Sequence, residues 1–168
     1  MDFPELFLSA MTFLFREEGG TNADPLDRGG FTNYGLSEKQ YPDIDLRNIT
    51  REQALEIYYL DYWIRQSCHM FPSPVAITLF DSSVNCGPGT AVKWLQKSIN
   101  GDNNFVKVDG AVGTKTILAS TGVPPYKLSG GIVGYRVQHY ADLLDRHPEQ
   151  VRFIKGWNRR AGRLLQFI

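Results

Sequence analysis

Phe15-Arg16-Glu17-Glu18-Gly19-Gly20, followed by Asp27-Arg28-Gly29-Gly30-Phe31-Thr32-Asn33-Tyr34-Gly35, is the stretch on which the reading of this 168-residue chain turns. Ahead of it, Phe3, Leu6, Phe7, Ala10, Phe13 and Leu14 recur at three- and four-residue spacing, the stripe of an amphipathic helix that faces a core. The glycine pair straight after Glu18 suits the end of that helix, because glycine accepts the left-handed conformation that terminates one. Residues 21–36 are rich in Gly, Pro, Asp and Asn, and read as a turn leading into a short, irregular hairpin. Glu18 then stands at the rim of a rigid element. The hairpin segment can carry Asp27 opposite it, with the Thr32 hydroxyl at the same place. Two carboxylates facing each other across a cleft are what acid-catalysed glycoside cleavage requires. The competing reading of each acid is a solvated turn former or cap. On the helical wheel both Glu17 and Glu18 fall near the edge of the apolar stripe, so periodicity leaves Glu17 as the reserve candidate.

Further along, Thr50-Arg51-Glu52-Gln53 has the form of a capping box, and Ala54, Leu55, Ile57, Tyr58 and Tyr62 continue a helical pattern that predicts a helix over 51–64. Pro72 and Pro74 mark a break before 75–84, a largely apolar segment expected to be a buried helix. Asp81 and Asn85 lie on one face of it. Buried polar groups demand hydrogen-bond partners, so Asp81 is expected to have a structural one, while Asn85, beside the Cys86-Gly87-Pro88-Gly89 turn, is open to either role. Residues 90–99 predict another helix, and Thr114 is placed to cap the next one. Pro124-Pro125 and Gly130-Gly131 set off a helix expected over 132–145, after which His147-Pro148 breaks the chain again. From Arg152 through Lys155, Arg159, Arg160 and Arg163 the chain is basic, which reads as a solvated helix face. No linker rich in Ser, Gly or charge divides the chain. Residues 1–168 therefore read as one domain with a cleft between two lobes.

Bulk properties narrow the function classes. A hydrophobic fraction of 42% with 12% aromatics suits a packed globule that needs no disulfide staples. Lys and Arg number 18 and Asp and Glu 18, so no overall cationic field attracts nucleic acid. Cys68 and Cys86 show neither a CxxC pattern nor nearby paired histidines, and free thiols are the expectation. His69, His139 and His147 lie apart and carry no assigned chemistry. No metal or cofactor is expected: Asn22, Asp24 and Asp27 lack the terminal Glu and the ligand order of an EF-hand. No apolar run approaches the roughly 20 residues that span a bilayer, and Met1-Asp2-Phe3-Pro4-Glu5 lacks the features of a signal peptide. The expectation is synthesis in a cytoplasm without membrane insertion.

The opening stretch resembles the signature of glycoside hydrolase family 108, bacterial and phage N-acetylmuramidases with a lysozyme-like fold. The likeness continues through Ile57-Tyr58-Tyr59-Leu60-Asp61-Tyr62-Trp63, Phe80-Asp81-Ser82-Ser83-Val84-Asn85-Cys86-Gly87, Trp94-Leu95-Gln96-Lys97, Val108-Asp109-Gly110-Ala111-Val112-Gly113-Thr114-Lys115-Thr116 and Gly156-Trp157-Asn158-Arg159-Arg160. The order of Glu, Asp and Thr also resembles that of phage-type lysozymes, with the last gap one residue shorter than in their best-known members. Such a resemblance implies a mainly α, lysozyme-like α+β fold: a helical two-lobed domain with a small β-hairpin flap beside the active-site cleft. Residues 1–88 would be the catalytic lobe. Residues 89–168, whose Leu95-Gln96 and Asp109-Gly110 are similar to peptidoglycan-binding helical modules, would be the second lobe. The implied reaction is cleavage of the β-1,4 bond between N-acetylmuramic acid and N-acetylglucosamine, with Glu18, Asp27 and Thr32 catalytic and Tyr34 and Asn85 binding substrate. Peptidoglycan strands are the implied partner of a monomer released by a holin or secretion system, and the basic run offers contacts to wall carboxylates or phosphates.

Chemically, a glycosidic oxygen leaves only when protonated, so one carboxyl must stay protonated at working pH; partial burial beside apolar residues raises a Glu enough. Glu18 suits that part. Asp27, in a polar loop, would stay ionised to stabilise the transition state or orient a water that Thr32 holds. A lytic transglycosylase would use the same Glu without Asp27, and a non-catalytic binding module would need neither acid.

Overall fold

In the computed structural model, which describes residues 2–18 and 31–168, the N-terminal apolar stripe coils into helix α1, Glu5–Glu18. Phe7, Ala10, Met11, Phe13 and Leu14 are buried along it, the period the sequence predicts. The chain forms two compact units, Met1–Asp61 and Tyr62–Ile168. Among the described residues the regular structure is seven α-helices, short 3₁₀ and π segments and one two-stranded sheet, a mainly α, lysozyme-like fold.

In the first unit the sheet is the hairpin of β1, Thr32–Asn33, and β2, Leu36–Ser37, with Thr32 opposite Ser37 and Asn33 opposite Leu36. Its two turn residues, Tyr34 and Gly35, both take positive φ, at +52° and +80°. That is the backbone of a type I′ turn, whose twist matches that of the strands. Helix α2, Arg51–Tyr58, starts at the predicted capping box: the Gln53 N–H donates to Thr50 Oγ1 at 3.2 Å and the Thr50 N–H to Gln53 Oε1 at 2.8 Å. The predicted helix over 51–64 then changes character, because its second part, Tyr59–Ile64, is a π-helix. Phe3, Phe7 and Tyr59 pack ring against ring with centroids 5.0 to 5.4 Å apart, fixing α1 to the end of α2.

The second unit is built on α3, Ser73–Cys86, α4, Pro88–Asn100, and α6, Pro125–Arg146, which pack on one another. Helix α5, Thr114–Ser120, lies against α4, and α7, Val151–Arg163, against α6. Residues Val75 to Ser83 of α3 are all buried, as its apolar run predicts. Two expectations need correction. The helix expected over 132–145 begins instead at Pro125 and runs straight through Gly130-Gly131. Glycine there serves close packing: a Cβ on Gly131 would come 2.9 Å from Ser98 Cβ of α4. And Thr114 does not cap α5; Gly113 occupies the cap position in extended backbone and Thr114 is the first helical residue.

The Asp-Gly turn ahead of α5 is fixed by one buried side chain. Gln96 Nε2 donates to Asp109 Oδ1 at 2.9 Å and to the Ala111 carbonyl at 3.0 Å, while its Oε1 accepts from the Gly110 N–H at 2.9 Å. Gly110 has φ +84°, and a Cβ there would meet the Gly89 carbonyl oxygen at 2.9 Å. The Gln…Asp-Gly pattern is thus a physical requirement of this turn.

Candidate active site

Helix α1 ends in the turn Phe15-Arg16-Glu17-Glu18. The Glu17 carboxylate accepts from Arg16 Nε at 3.3 Å. Its side chain is largely covered while that of Arg16 is exposed. The side chain of Glu18, and the whole of Asn22, Asp24 and Asp27, lie outside the described residues. What can be described is the frame that joins α1, the hairpin and α2.

That frame is aromatic. The Tyr34 ring at the hairpin tip meets Phe15 with centroids 5.9 Å apart, and Phe15 meets Tyr58 of α2 edge-on at 6.3 Å. The Tyr58 hydroxyl closes the triangle by donating to the Tyr34 carbonyl at 3.0 Å. Positive φ at a bulky residue carries strain, and it persists only where surroundings over-determine it. Here a ring contact and a hydrogen bond do so. At the hairpin base the Phe31 N–H donates to Glu38 Oε2 at 3.3 Å, the Glu38 N–H to the Phe31 carbonyl at 3.1 Å, and Asn33 Nδ2 to the Leu46 carbonyl at 3.0 Å. Arg47 lies 4.7 Å from the Phe31 ring centroid and pairs with Glu38 at 3.6 Å. The hairpin carrying Thr32 and Tyr34 is therefore pinned at both ends. Thr32, Asn33 and Tyr34 remain half-buried, accessible to a ligand.

Asn85, the other residue expected to bind substrate, stands in the last turn of α3 in the second unit. Its Oδ1 accepts from the Tyr140 hydroxyl at 2.6 Å and from Cys86 Sγ at 3.2 Å. Tyr140 in turn accepts from Arg136 Nε at 2.6 Å, and Arg136 Nη1 donates to Asp81 Oδ2 at 2.6 Å. Arg160 Nη2 reaches Asp81 Oδ1 at 2.8 Å. Burial alone would raise the Asp81 carboxyl, but the two guanidinium groups outweigh it and hold it below the usual carboxylate range. Burial pushes the Tyr140 phenol up to about 12, and burial likewise raises both thiols, Cys68 and Cys86, which are free. Asp81 has the structural partner its position demanded. Arg160, read in the sequence as part of a solvated face, is buried instead, because Asp81 needs a second cation. Arg136 and Tyr140 went unassigned in the sequence. Their only signal there was spacing: Arg136 and Tyr140 repeat the four-residue step of Asp81 and Asn85.

Residues 11–87 match the glycosyl hydrolase 108 family and residues 90–162 a predicted peptidoglycan domain. The chain joins a glycosyl hydrolase 108 domain to a peptidoglycan domain. It is a glycoside hydrolase directed at peptidoglycan. Among solved structures, that of Brucella abortus SagA is similar, with a TM-score of 0.79 and 27% identity over 95% of this chain and 91% of that one. No curated protein matches. Glu18, Asp27, Thr32 and Tyr34 all fall within the glycosyl hydrolase 108 match. Among the described residues no helix is long and apolar enough to cross a membrane.

Proposed function

We propose that the chain is an N-acetylmuramidase that hydrolyses the β-1,4 bond between N-acetylmuramic acid and N-acetylglucosamine. Glu18 is the general acid that protonates the leaving oxygen, Asp27 the carboxylate that stabilises the oxocarbenium-like transition state or orients water, and Thr32 the hydroxyl that holds that water. The observation that carries this reading is the anchoring of the Thr32–Tyr34 hairpin, through Phe15 and Tyr58, on the α1 turn that ends in Glu18. A strained, doubly pinned tyrosine beside a helix end that bears a carboxylate is the kind of backbone outlier that functional sites retain. Tyr34 contributes the substrate-facing ring. A substrate role for Asn85 falls to its Nδ2 amide N–H donors, since Tyr140 and Cys86 donate to its oxygen. Lysis of a host bacterium, after a holin or secretion device delivers the enzyme to the wall, is the biological role this chemistry suits.

Mass spectrometry of fragments released from purified peptidoglycan tests the proposal. Reducing N-acetylmuramic acid ends are expected. Anhydro ends would make the enzyme a transglycosylase, and an absence of fragments would reduce the chain to a binding module; either result contradicts the proposal.

A further inference from the structure

Helices α4 and α6 leave a groove of about 470 Å³ between them, a volume in the range of small-ligand sites. Its walls carry Lys97 from α4 and Lys127, Tyr135 and Gln138 from α6, over a floor that includes Gly131 and Gly134. Gly131 is explained by its approach to Ser98, whereas at Gly134, as at Gly130 of the same helix, a Cβ would meet nothing within 4 Å. Glycine inside a helix costs about 1 kcal/mol relative to alanine, so an exposed one in mid-helix asks for a reason other than fit to a neighbour. What its missing side chain provides is an open floor. Lys97 Nζ lies 5.4 Å from the Tyr135 ring centroid, which gathers charge and aromatic surface at one place. Among the described residues no carboxylate lines the groove. Asp142, one turn beyond Gln138, is engaged by Gln138 Nε2 at 2.9 Å.

We infer that this groove binds an anionic stretch of the glycan strand, a muramyl residue with its stem-peptide carboxylates. An ammonium from each helix meets the carboxylates, the half-exposed Tyr135 ring takes the apolar face of a pyranose, and the glycine floor lets that ring approach the helix backbone. Neutral glycans lack the partner for the two lysines and bind more weakly. All the lining residues lie inside the region matched to the peptidoglycan domain. The inference rests on peptidoglycan as the substrate and adds a second point of attachment, one that would retain the enzyme on the strand.

The test uses the full chain with Glu18→Gln, isotopically labelled, titrated by NMR with a disaccharide-tetrapeptide muropeptide and with neutral chitotetraose. The muropeptide is expected to shift the amides of Gly131, Gly134 and Tyr135, and to bind at least about fivefold more tightly than chitotetraose, a gap that closes at high salt. Gly134→Leu, which adds a side chain to the floor at a position where a Cβ meets nothing within 4 Å, and the double change Lys97→Gln with Lys127→Gln should each weaken muropeptide binding by roughly fivefold or more. Unshifted groove amides, equal affinity for the two ligands, or an unweakened Gly134→Leu variant with a native spectrum would each overturn the inference. Fragment release by the unmutated chain is scored separately. A chain that binds through the groove but releases nothing would support the groove and refute the muramidase reading.

Discussion

At the Thr32–Tyr34 hairpin, polar and aromatic groups are held by ring contacts and backbone bonds and stay half-buried, whereas around Asp81 the charged groups are buried and, apart from Arg136 Nη2, which finds no hydrogen-bond partner among the described residues, satisfy one another. Both regions contain carboxylates, tyrosines and arginines, so residue type does not tell them apart. What differs is where the hydrogen-bonding capacity goes. Asp81 spends both oxygens on Arg136 and Arg160, and Tyr140 spends its hydroxyl on Arg136 and Asn85. Tyr34, in contrast, is tethered through its carbonyl and the side of its ring. The first pattern is a structural tie between α3, α6 and α7; the second positions surface for a ligand. A site is recognised by groups that are fixed without being used up.

The largest effect should come from the buried cluster. Asp81→Asn removes the charge that compensates Arg136 and Arg160, and is expected to cost about 3–5 kcal/mol of stability, measured by urea unfolding. Because folding depresses the Asp81 carboxyl, its contribution is complete above the ordinary Asp value of about 3.9 and is lost as pH falls toward the folded value. Unfolding free energy followed from pH 7 down to pH 3 should therefore fall in the acid limb, and that limb should flatten in Asp81→Asn. A variant as stable as the parent would erase the contrast between the two regions.

A smaller effect is expected at the hairpin. Tyr58→Phe deletes the hydroxyl that holds the Tyr34 carbonyl, which should cost about 1 kcal/mol of stability. If this tether positions the hairpin for chemistry, wall-clearing activity should drop by more than the change in folded fraction at the assay temperature. Equal losses would leave the tether purely structural. Smallest in its effect on activity is Thr50→Ala, which breaks the capping box of α2 and should likewise cost about 1 kcal/mol of stability while leaving the activity of the folded enzyme near that of the parent. A strong loss of specific activity there would mean that the start of α2 takes part in the site.

Signals legible in the sequence were local ones. The apolar stripe of α1 and the Thr50–Gln53 box each act within a turn or two and stand where the sequence predicts, while α3 starts at Ser73, with Pro74 in its first turn rather than in a break before it. The misreadings share one physical origin, a partner far away in the chain. Gly130-Gly131 looked like a break because glycine weakens an isolated helix, but the pair lies inside α6, and at Gly131 close contact with Ser98 leaves no room for a side chain. Arg160 looked solvated because the acid it serves, Asp81, lies 79 residues away. For the candidate site, the sequence supplied Glu18, Asp27, Thr32 and Tyr34 as types in an order, and the structure adds the Phe15–Tyr34–Tyr58 frame. Edge-on rings and a carbonyl tether leave no periodic trace, so that frame could not be read in advance.

The most direct measurement of the central assignment is fragment release from purified peptidoglycan by the parent chain, Glu18→Gln and Asp27→Asn, quantified by mass spectrometry with folding checked by circular dichroism. Release of reducing muramic acid ends by the parent is expected, with a drop of at least about a hundredfold in Glu18→Gln, the usual scale for a positioned general acid, and a severe loss in Asp27→Asn. Near-parental release by folded Glu18→Gln would contradict the assignment, and inactivity of Glu17→Gln in its place would move the acid one residue back along α1.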